Sequence, residues 1–117
     1  MKRLIAVAAL LLTAACATQE SATDAKINRG SRLAEVNCAM CHAVGRTGSS
    51  PAPEAPPFRT LSQNYRVSML EESLAEGISV GHPAMPNFQF SPDDAEALVR
   101  YLETIQETGH DAAHPAL

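Results

Sequence analysis

Small and apolar residues recur at helical spacing in two stretches of the chain, and no stretch shows the strict alternation of a half-buried strand. The first stretch starts at about Asp24 and has such residues at steps of three and four: Ile27, Gly30, Ala34, Cys38 and Cys41. The second stretch ends at about Gln106, and its apolar stripe consists of Ala95, Leu98, Leu102 and Ile105. The pattern therefore predicts an all-α fold of three to five short helices.

Local end signals mark the start of one helix and both ends of another. Ser91 followed by Pro92 and two aspartates is typical of a helix start, with serine as N-cap and proline in the first position. Ser68 and Glu71 have the spacing of a capping box, and Gly77 is a natural stop, which together predict a helix over about 68–76 with Met69 as core filler. Residues 43–57 and 81–90 are rich in proline or glycine and are predicted to be loops.

The N-terminus reads as an export signal. Lys2 and Arg3 precede a run of Leu, Ile, Val and Ala with one Thr, which ends at Ala15. This run is shorter than the roughly 20 residues that span a bilayer, so we predict a cleaved signal over residues 1–17 and a periplasmic location. Two cleavage routes stay open: cleavage after Ala17, or lipoprotein-type cleavage before Cys16. Residues 18–25 are predicted to be a polar tether, 26–106 the folded domain and 107–117 a flexible tail.

Charge and composition exclude some functions. The 117 residues include 9 basic and 13 acidic side chains, and Lys26 is the only lysine beyond the predicted signal. A basic footprint for nucleic acid is therefore absent from the sequence. The chain has two tyrosines, three phenylalanines and no tryptophan. Because so small a domain buries a low fraction of its surface, we expect a cofactor to supply apolar mass and the protein without it to be largely unfolded.

One short motif, Cys38-Ala39-Met40-Cys41-His42, indicates what that cofactor is. Two cysteines separated by two residues and followed by histidine form the attachment signature of c-type haem. Thiols three residues apart on one turn can reach both vinyl groups of a porphyrin, and the next imidazole can ligate the iron. A thioredoxin-like pair needs a βαβ context and a zinc site needs a second ligand pair, neither of which the sequence offers. We therefore predict one covalent haem c per chain, with His42 as proximal ligand.

The second axial ligand is predicted to be Met85, which lies between two prolines in the segment from His82 to Pro86. A thioether donor favours ferrous iron and raises the reduction potential. Three alternatives stay open. Met85 could be core filler, His82 could ligate the iron instead, or the distal site could be open.

These features together resemble the class I c-type cytochromes of bacteria, a group of small periplasmic monohaem proteins. The resemblance covers about residues 26–106 and rests on Gly30, the haem motif, Pro-Pro-Phe at 56–58, the segment 81–86 and the last helix. It implies a cytochrome c fold wrapped around the haem. The first and last helices are then expected to cross where Gly30 lets Tyr101 approach.

The resemblance also implies roles for residues around the haem. The carbonyl of Pro56 or Pro57 is expected to accept a hydrogen bond from the His42 ring and to fix its orientation. Arg59 and Tyr65 are expected to reach the haem propionates.

A one-electron carrier is the implied function, exchanging electrons with periplasmic redox proteins and catalysing no reaction of its own. Contact with a membrane is expected only through a lipid on Cys16. The alternatives are a haem subunit of a membrane-associated dehydrogenase or oxidase, and a haem enzyme or sensor with an open distal site.

Overall fold

A computed structural model of the chain describes residues 21–77 and 84–107. Helix α1 runs through residues 21–37 and is followed by a long loop over 43–57. Two 3₁₀ helices, Phe58–Gln63 and Val67–Met69, precede α2 (Leu70–Glu76), and α3 (Pro92–Ile105) follows a second loop. No strand occurs in these described ranges. The prediction of an all-α fold is confirmed.

Helix α3 begins and ends close to the predicted positions. The Ser91 hydroxyl accepts a hydrogen bond from the Asp94 backbone N–H at 3.2 Å, and Pro92 occupies the first turn. The helix ends at Ile105 with Gln106 as C-cap. Its predicted apolar stripe is buried and packs on α1, α2 and the first 3₁₀ helix: Ala95, Leu98, Leu102 and Ile105.

Replacing Ser91 should therefore weaken the start of α3. We expect Ser91→Ala to lower the free energy of unfolding by about 1 kcal/mol, because the Asp94 N–H loses its capping partner. Urea titration of the purified protein measures this change. Ser68→Ala is the matched control, since Ser68 caps no helix, and its effect should stay within about 0.5 kcal/mol. Equal losses in the two variants would contradict the assignment of the cap.

The predicted capping box at the start of α2 is wrong. The N-cap of α2 is Met69, which makes no side-chain capping hydrogen bond, and Ser68 lies inside the second 3₁₀ helix. Val67 is completely buried, so the chain turns tightly to bring this side chain into the core before α2 begins. Met69 is 68% exposed and does not fill the core as predicted. Gly77 does end the helix, with a φ of 104°.

Helices α1 and α3 cross in close contact. A Cβ atom built on Gly30 would overlap the carbonyl group of Ala97 and would lie 2.8 Å from Cβ of Tyr101. Ala34 and Ala97 have no solvent exposure. The close approach expected at Gly30 and Tyr101 is therefore present.

Ion pairs flank this crossing. Lys26 Nζ lies 2.6 Å from the Glu96 carboxylate, and Arg29 lies 2.6 Å from Asp94. The hydrogen bond from Lys26 lowers the pKa of Glu96. A carboxylate with a lowered pKa stabilises the fold at neutral pH, and this contribution is lost as the pH falls through that pKa. Because both side chains are solvated, the effect is small.

The ends of the predicted domain differ in part from expectation. Residues 21–25, predicted to be tether, are helical and exposed, and they continue α1. Glu107, predicted to begin the flexible tail, donates its backbone N–H to the Arg59 carbonyl at 2.8 Å. The predicted signal, Cys16, residues 18–20 and residues 108–117 lie outside the described residues. Within the described ranges, no helix combines the length and apolar character needed to cross a bilayer.

Candidate functional site

The cysteine motif forms a turn directly after α1. The backbone N–H of Cys38 donates to Ala34 at 2.9 Å, and the N–H groups of Cys41 and His42 both donate to the Cys38 carbonyl, at 3.1 and 2.9 Å. Both cysteines are free thiols and partly buried, and Cys38 packs against the core. The end of α1 thus presents two thiols and an imidazole within one turn.

The electrostatic environment of this pair does not suit thiol redox chemistry. Burial, with a smaller contribution from Cys41, raises the pKa of Cys38 to about 11. A reactive pair of the thioredoxin type needs the opposite shift, because the thiolate is the nucleophile. The raised pKa of Cys38 thus argues against a thioredoxin-like redox pair.

His42 is held by the loop that follows it. Its Nδ1 lies 2.8 Å from the carbonyl oxygen of Pro56. Because a carbonyl can only accept, Nδ1 is the donor of this hydrogen bond, and Nε2 is the ring nitrogen that stays available to a metal. The Phe58 ring packs against the imidazole with ring centroids 4.8 Å apart. The Phe58 backbone N–H donates to the Ala43 carbonyl at 2.9 Å and closes the loop beside the histidine.

Of the two prolines, the structure selects Pro56 as the partner of the His42 ring. The Pro57 carbonyl instead accepts hydrogen bonds from the backbone N–H and hydroxyl of Thr60, at 3.1 and 2.9 Å. Pro57 therefore caps the first 3₁₀ helix.

The two residues assigned to the propionates are placed differently from each other. Arg59 donates from Nη1 to the Gly48 carbonyl at 2.8 Å and from Nε to the Glu107 carboxylate at 3.1 Å. Tyr65 is 36% exposed, and burial raises its pKa, which keeps the phenol protonated as a donor at neutral pH. Their propionate roles stay predictions.

Met85 is partly buried and lies in a turn at residues 84–85. The segment after it is tied to α2, because the Phe90 N–H donates to the Leu74 carbonyl at 2.9 Å. The Phe88 and Phe90 rings stack with centroids 5.9 Å apart. The alternative ligand, His82, lies outside the described residues together with Gly81 and Pro83.

Sequence reasoning missed a second set of contacts, between the end of α3 and the loop after His42. The Tyr101 hydroxyl donates to the Val44 carbonyl at 2.8 Å, and Arg46 donates to the Thr104 carbonyl at 2.5 Å. Gln106 contacts the first 3₁₀ helix in a similar way. These partners are more than 40 residues apart in the chain, so no local pattern marks them.

The donors present fit a covalent haem c. Two free thiols at the required spacing precede an imidazole whose Nδ1 is held by the Pro56 carbonyl. A zinc site would need more ligands, and no group of three or more histidine, cysteine or acidic residues in the described part of the chain could hold a metal ion.

Comparison with known proteins agrees with this chemistry. Residues 25–102 match the family described as cytochrome c oxidase, cbb3-type, subunit III. The chain is also 32% identical over 100 residues to a protein named cytochrome c6 from Picosynechococcus sp., with 82% of this chain and 86% of that protein aligned. The chain belongs to the c-type cytochrome family. The resemblance to small monohaem class I cytochromes is confirmed.

A second relative supports the same assignment. The cytochrome is 27% identical over 88 residues to a protein named cytochrome c-553-like from Synechocystis sp., covering 75% of this chain and 77% of the relative. No solved structure matches. The family makes this cytochrome a small haem c electron carrier that exchanges electrons with redox partners and is not an enzyme.

Proposed function

We propose that this cytochrome is a periplasmic one-electron carrier whose single haem c is attached through Cys38 and Cys41 and ligated by His42 and Met85. The observation that carries the proposal is the 2.8 Å contact between His42 Nδ1 and the Pro56 carbonyl, next to the free thiol pair. This contact supports a ligand role because metal-bound histidines commonly donate their other ring N–H to a fixed acceptor.

Each residue of the motif has a defined task in this proposal. Cys38 and Cys41 would hold the haem through thioethers, each thiol adding across one vinyl group so that a carbon–sulfur bond would form and the thiol proton would move to the neighbouring carbon without an oxidant. Nε2 of His42 would bind the iron, while the Pro56 carbonyl holds the ring in one orientation. When bound, haem c supplies a one-electron ferric/ferrous couple.

The loop over residues 84–90, which contains Met85, is suited to presenting a weak ligand. The thioether of Met85 competes with water for the iron, and a fixed loop lowers the entropy that is lost when it binds. Pro86 restricts the backbone next to Met85, and the Phe90 hydrogen bond to Leu74 anchors the far end of the loop. With His42 and Met85 both as ligands, the protein would hold the iron in the same way in its ferric and ferrous states.

Met85→Ala tests the distal assignment. We expect the purified wild-type protein to show a methionine–iron charge-transfer band in its ferric spectrum. When reduced, it should not bind carbon monoxide. The variant should lose the band completely, bind carbon monoxide rapidly and stoichiometrically, and have a lower reduction potential, because the thioether no longer favours ferrous iron.

The matched control is Met69→Ala, which removes an exposed methionine and should change none of these properties. Absence of the band from the wild-type protein would contradict Met85 as ligand. Carbon monoxide binding by the wild-type protein would favour a haem sensor or enzyme with an open distal site.

The periplasmic location rests on residues 1–17, with their basic start and short apolar run. We propose that this segment is cleaved, either after Ala17 or before Cys16 with lipid attached to the cysteine. The mass of the mature protein distinguishes the two routes. A retained N-terminal methionine would contradict both.

A second function is favoured by the description of the matching family, which names a subunit of a cbb3-type oxidase. In that case the cytochrome would stay bound to a larger redox complex and would not diffuse between partners. Gel filtration of a gently solubilised native extract distinguishes the two. Elution at the size of the free chain supports the carrier, whereas co-elution with an oxidase or dehydrogenase supports the subunit.

A further inference from the structure

The side chain of Gln106 joins the end of α3 to the first 3₁₀ helix. Its Nε2 donates to the carbonyls of Phe58 and Leu102, each at 2.8 Å, and its Oε1 accepts from the Ser62 backbone N–H at 2.9 Å. Both ends of the amide are therefore used. Ser62 is completely buried, and its hydroxyl donates to the Glu107 carbonyl at 3.2 Å.

Gln106 is connected to the proposed proximal ligand, His42, through a single residue, Phe58. Phe58, whose carbonyl Gln106 holds, packs its ring against His42. Its backbone N–H donates to Ala43, the residue after His42. Pro56, two residues before Phe58, accepts the Nδ1 proton. Residues 56–58 thus contact the imidazole at its face and at Nδ1.

The segment that touches the histidine has few backbone anchors of its own. Pro56 and Pro57 lack N–H groups, so this stretch cannot be fixed by donating main-chain hydrogen bonds before Phe58. The segment is held by the Phe58 N–H, by the Pro57 carbonyl, which accepts from Thr60, and by the Phe58 carbonyl, which accepts from Gln106.

We propose that Gln106 is a positioning residue for the His42 ring and acts on it through Phe58. This inference rests on the proposed function, in which His42 ligates the iron. Without the amide, the Phe58 carbonyl and the Ser62 N–H each lose a hydrogen-bond partner, and the 56–58 segment loses one of its anchors beside the ring. The hydrogen bond from Nδ1 to Pro56 then opens more often.

A purely structural role for Gln106 makes a different prediction. The variant would be less stable, but the environment of the His42 ring in the folded protein would not change. The readout must therefore report on the ring itself. In the ferric holo-protein, proton NMR gives the haem-induced shifts of the His42 ring protons and the rate at which its Nδ1 proton exchanges with deuterium.

We expect Gln106→Met to accelerate exchange of the His42 Nδ1 proton on the order of tenfold and to move the haem-induced shifts of the ring. Loss of two hydrogen bonds from partly buried backbone groups has an effect large enough for such a factor. Val99→Ala is the control, since it removes buried volume from α3 and leaves in place the hydrogen bonds that hold residues 56–58. It should destabilise the protein and leave the His42 signals unchanged.

A second variant covers the case in which Gln106→Met does not fold. In Gln106→Glu, the ionised carboxylate can still accept from Ser62 but cannot donate to Phe58. Exchange should be faster than in the wild-type protein at neutral pH. When the two proteins are compared at the same pH, the difference in exchange rate should become smaller as the pH falls, because the carboxyl becomes protonated and regains a donor.

The possible failures are distinguishable. If the His42 ring protons of the unsubstituted protein lack haem-induced shifts, the proposed ligation is wrong and the positioning role falls with it. If these shifts are present but unchanged in both Gln106 variants, only the positioning role is overturned. An equal change in Val99→Ala would also overturn it, because general destabilisation would then be sufficient.

Discussion

Cys38→Ser combined with Cys41→Ser is expected to yield a colourless and largely unfolded chain. Serine hydroxyls do not form thioethers with the porphyrin, so the covalent link is lost. The protein then retains only a small core, in which residues such as Ala34 and Ala97 bury little apolar area each. A domain of this size with so few large side chains is marginal without added apolar mass. Far-UV circular dichroism and the mass of the purified chain measure both outcomes.

Met40→Ala is the matched control for the double cysteine variant. Met40 lies between the two cysteines and is 88% exposed, so its removal keeps the spacing and the core intact. This variant should retain its colour after extraction with acidified acetone, as should the wild-type protein. If the wild-type chain instead becomes colourless and shows the mass of the polypeptide alone, covalent attachment is wrong.

The sequence was most informative where a few neighbouring residues determine the structure. Ser91 and Pro92 correctly marked the start of α3, because capping depends on atoms within one helical turn. The haem motif is local in the same sense, since α1 continues into a turn that keeps Cys38 and Cys41 together.

Tertiary packing overrode such signals at α2. Ser68 and Glu71 have the spacing of a capping box, but burial of Val67 requires a 3₁₀ turn at that point. The side chain of Met69 then faces solvent, although its residue type is common in cores. Local patterns describe what an isolated segment prefers and do not include the constraint that the core imposes.

The supports of the proposed site were the least predictable part. The resemblance narrowed the acceptor for His42 to Pro56 or Pro57, and the structure selects Pro56. Contacts of Tyr101 and Gln106 with residues 44 and 58 join segments far apart in the sequence. The residue types and spacings in these contacts follow no motif, so they become visible only in the folded chain. There, the end of α3 contacts the chain on both sides of the loop after His42, at Val44 and at Phe58.

The contacts of Tyr101 and Gln106 with Val44 and Phe58 depend on the crossing of α1 and α3. Gly30→Ala should disrupt this crossing. In an isolated helix this change would be favourable by up to about 1 kcal/mol, because alanine is the better helix former. Here the added Cβ would overlap the Ala97 carbonyl group, with the carbonyl carbon only 2.6 Å away. Backbone atoms cannot rotate aside, so the two helices must move apart.

We expect Gly30→Ala to lower the free energy of unfolding of the holo-protein by about 3 kcal/mol or more, since overpacking of this kind exceeds what a helix-propensity gain offsets. For a domain of this size the melting temperature should fall on the order of 10–20 °C. Thermal denaturation followed by circular dichroism measures the change. Gly45→Ala is the matched control, because a Cβ there meets nothing within 4 Å, and its melting temperature should move by only a few degrees.

The haem environment of the Gly30 variant provides a second readout. If separation of α1 from α3 shifts Tyr101 and the end of α3, the contacts that brace residues 44 and 58 loosen together, and the His42 signals should change even below the melting transition. Equal stability of the Gly30→Ala and Gly45→Ala proteins would show that the crossing is not tight. A destabilised Gly30 variant with unaltered His42 signals would instead separate the helix crossing from the support of the histidine.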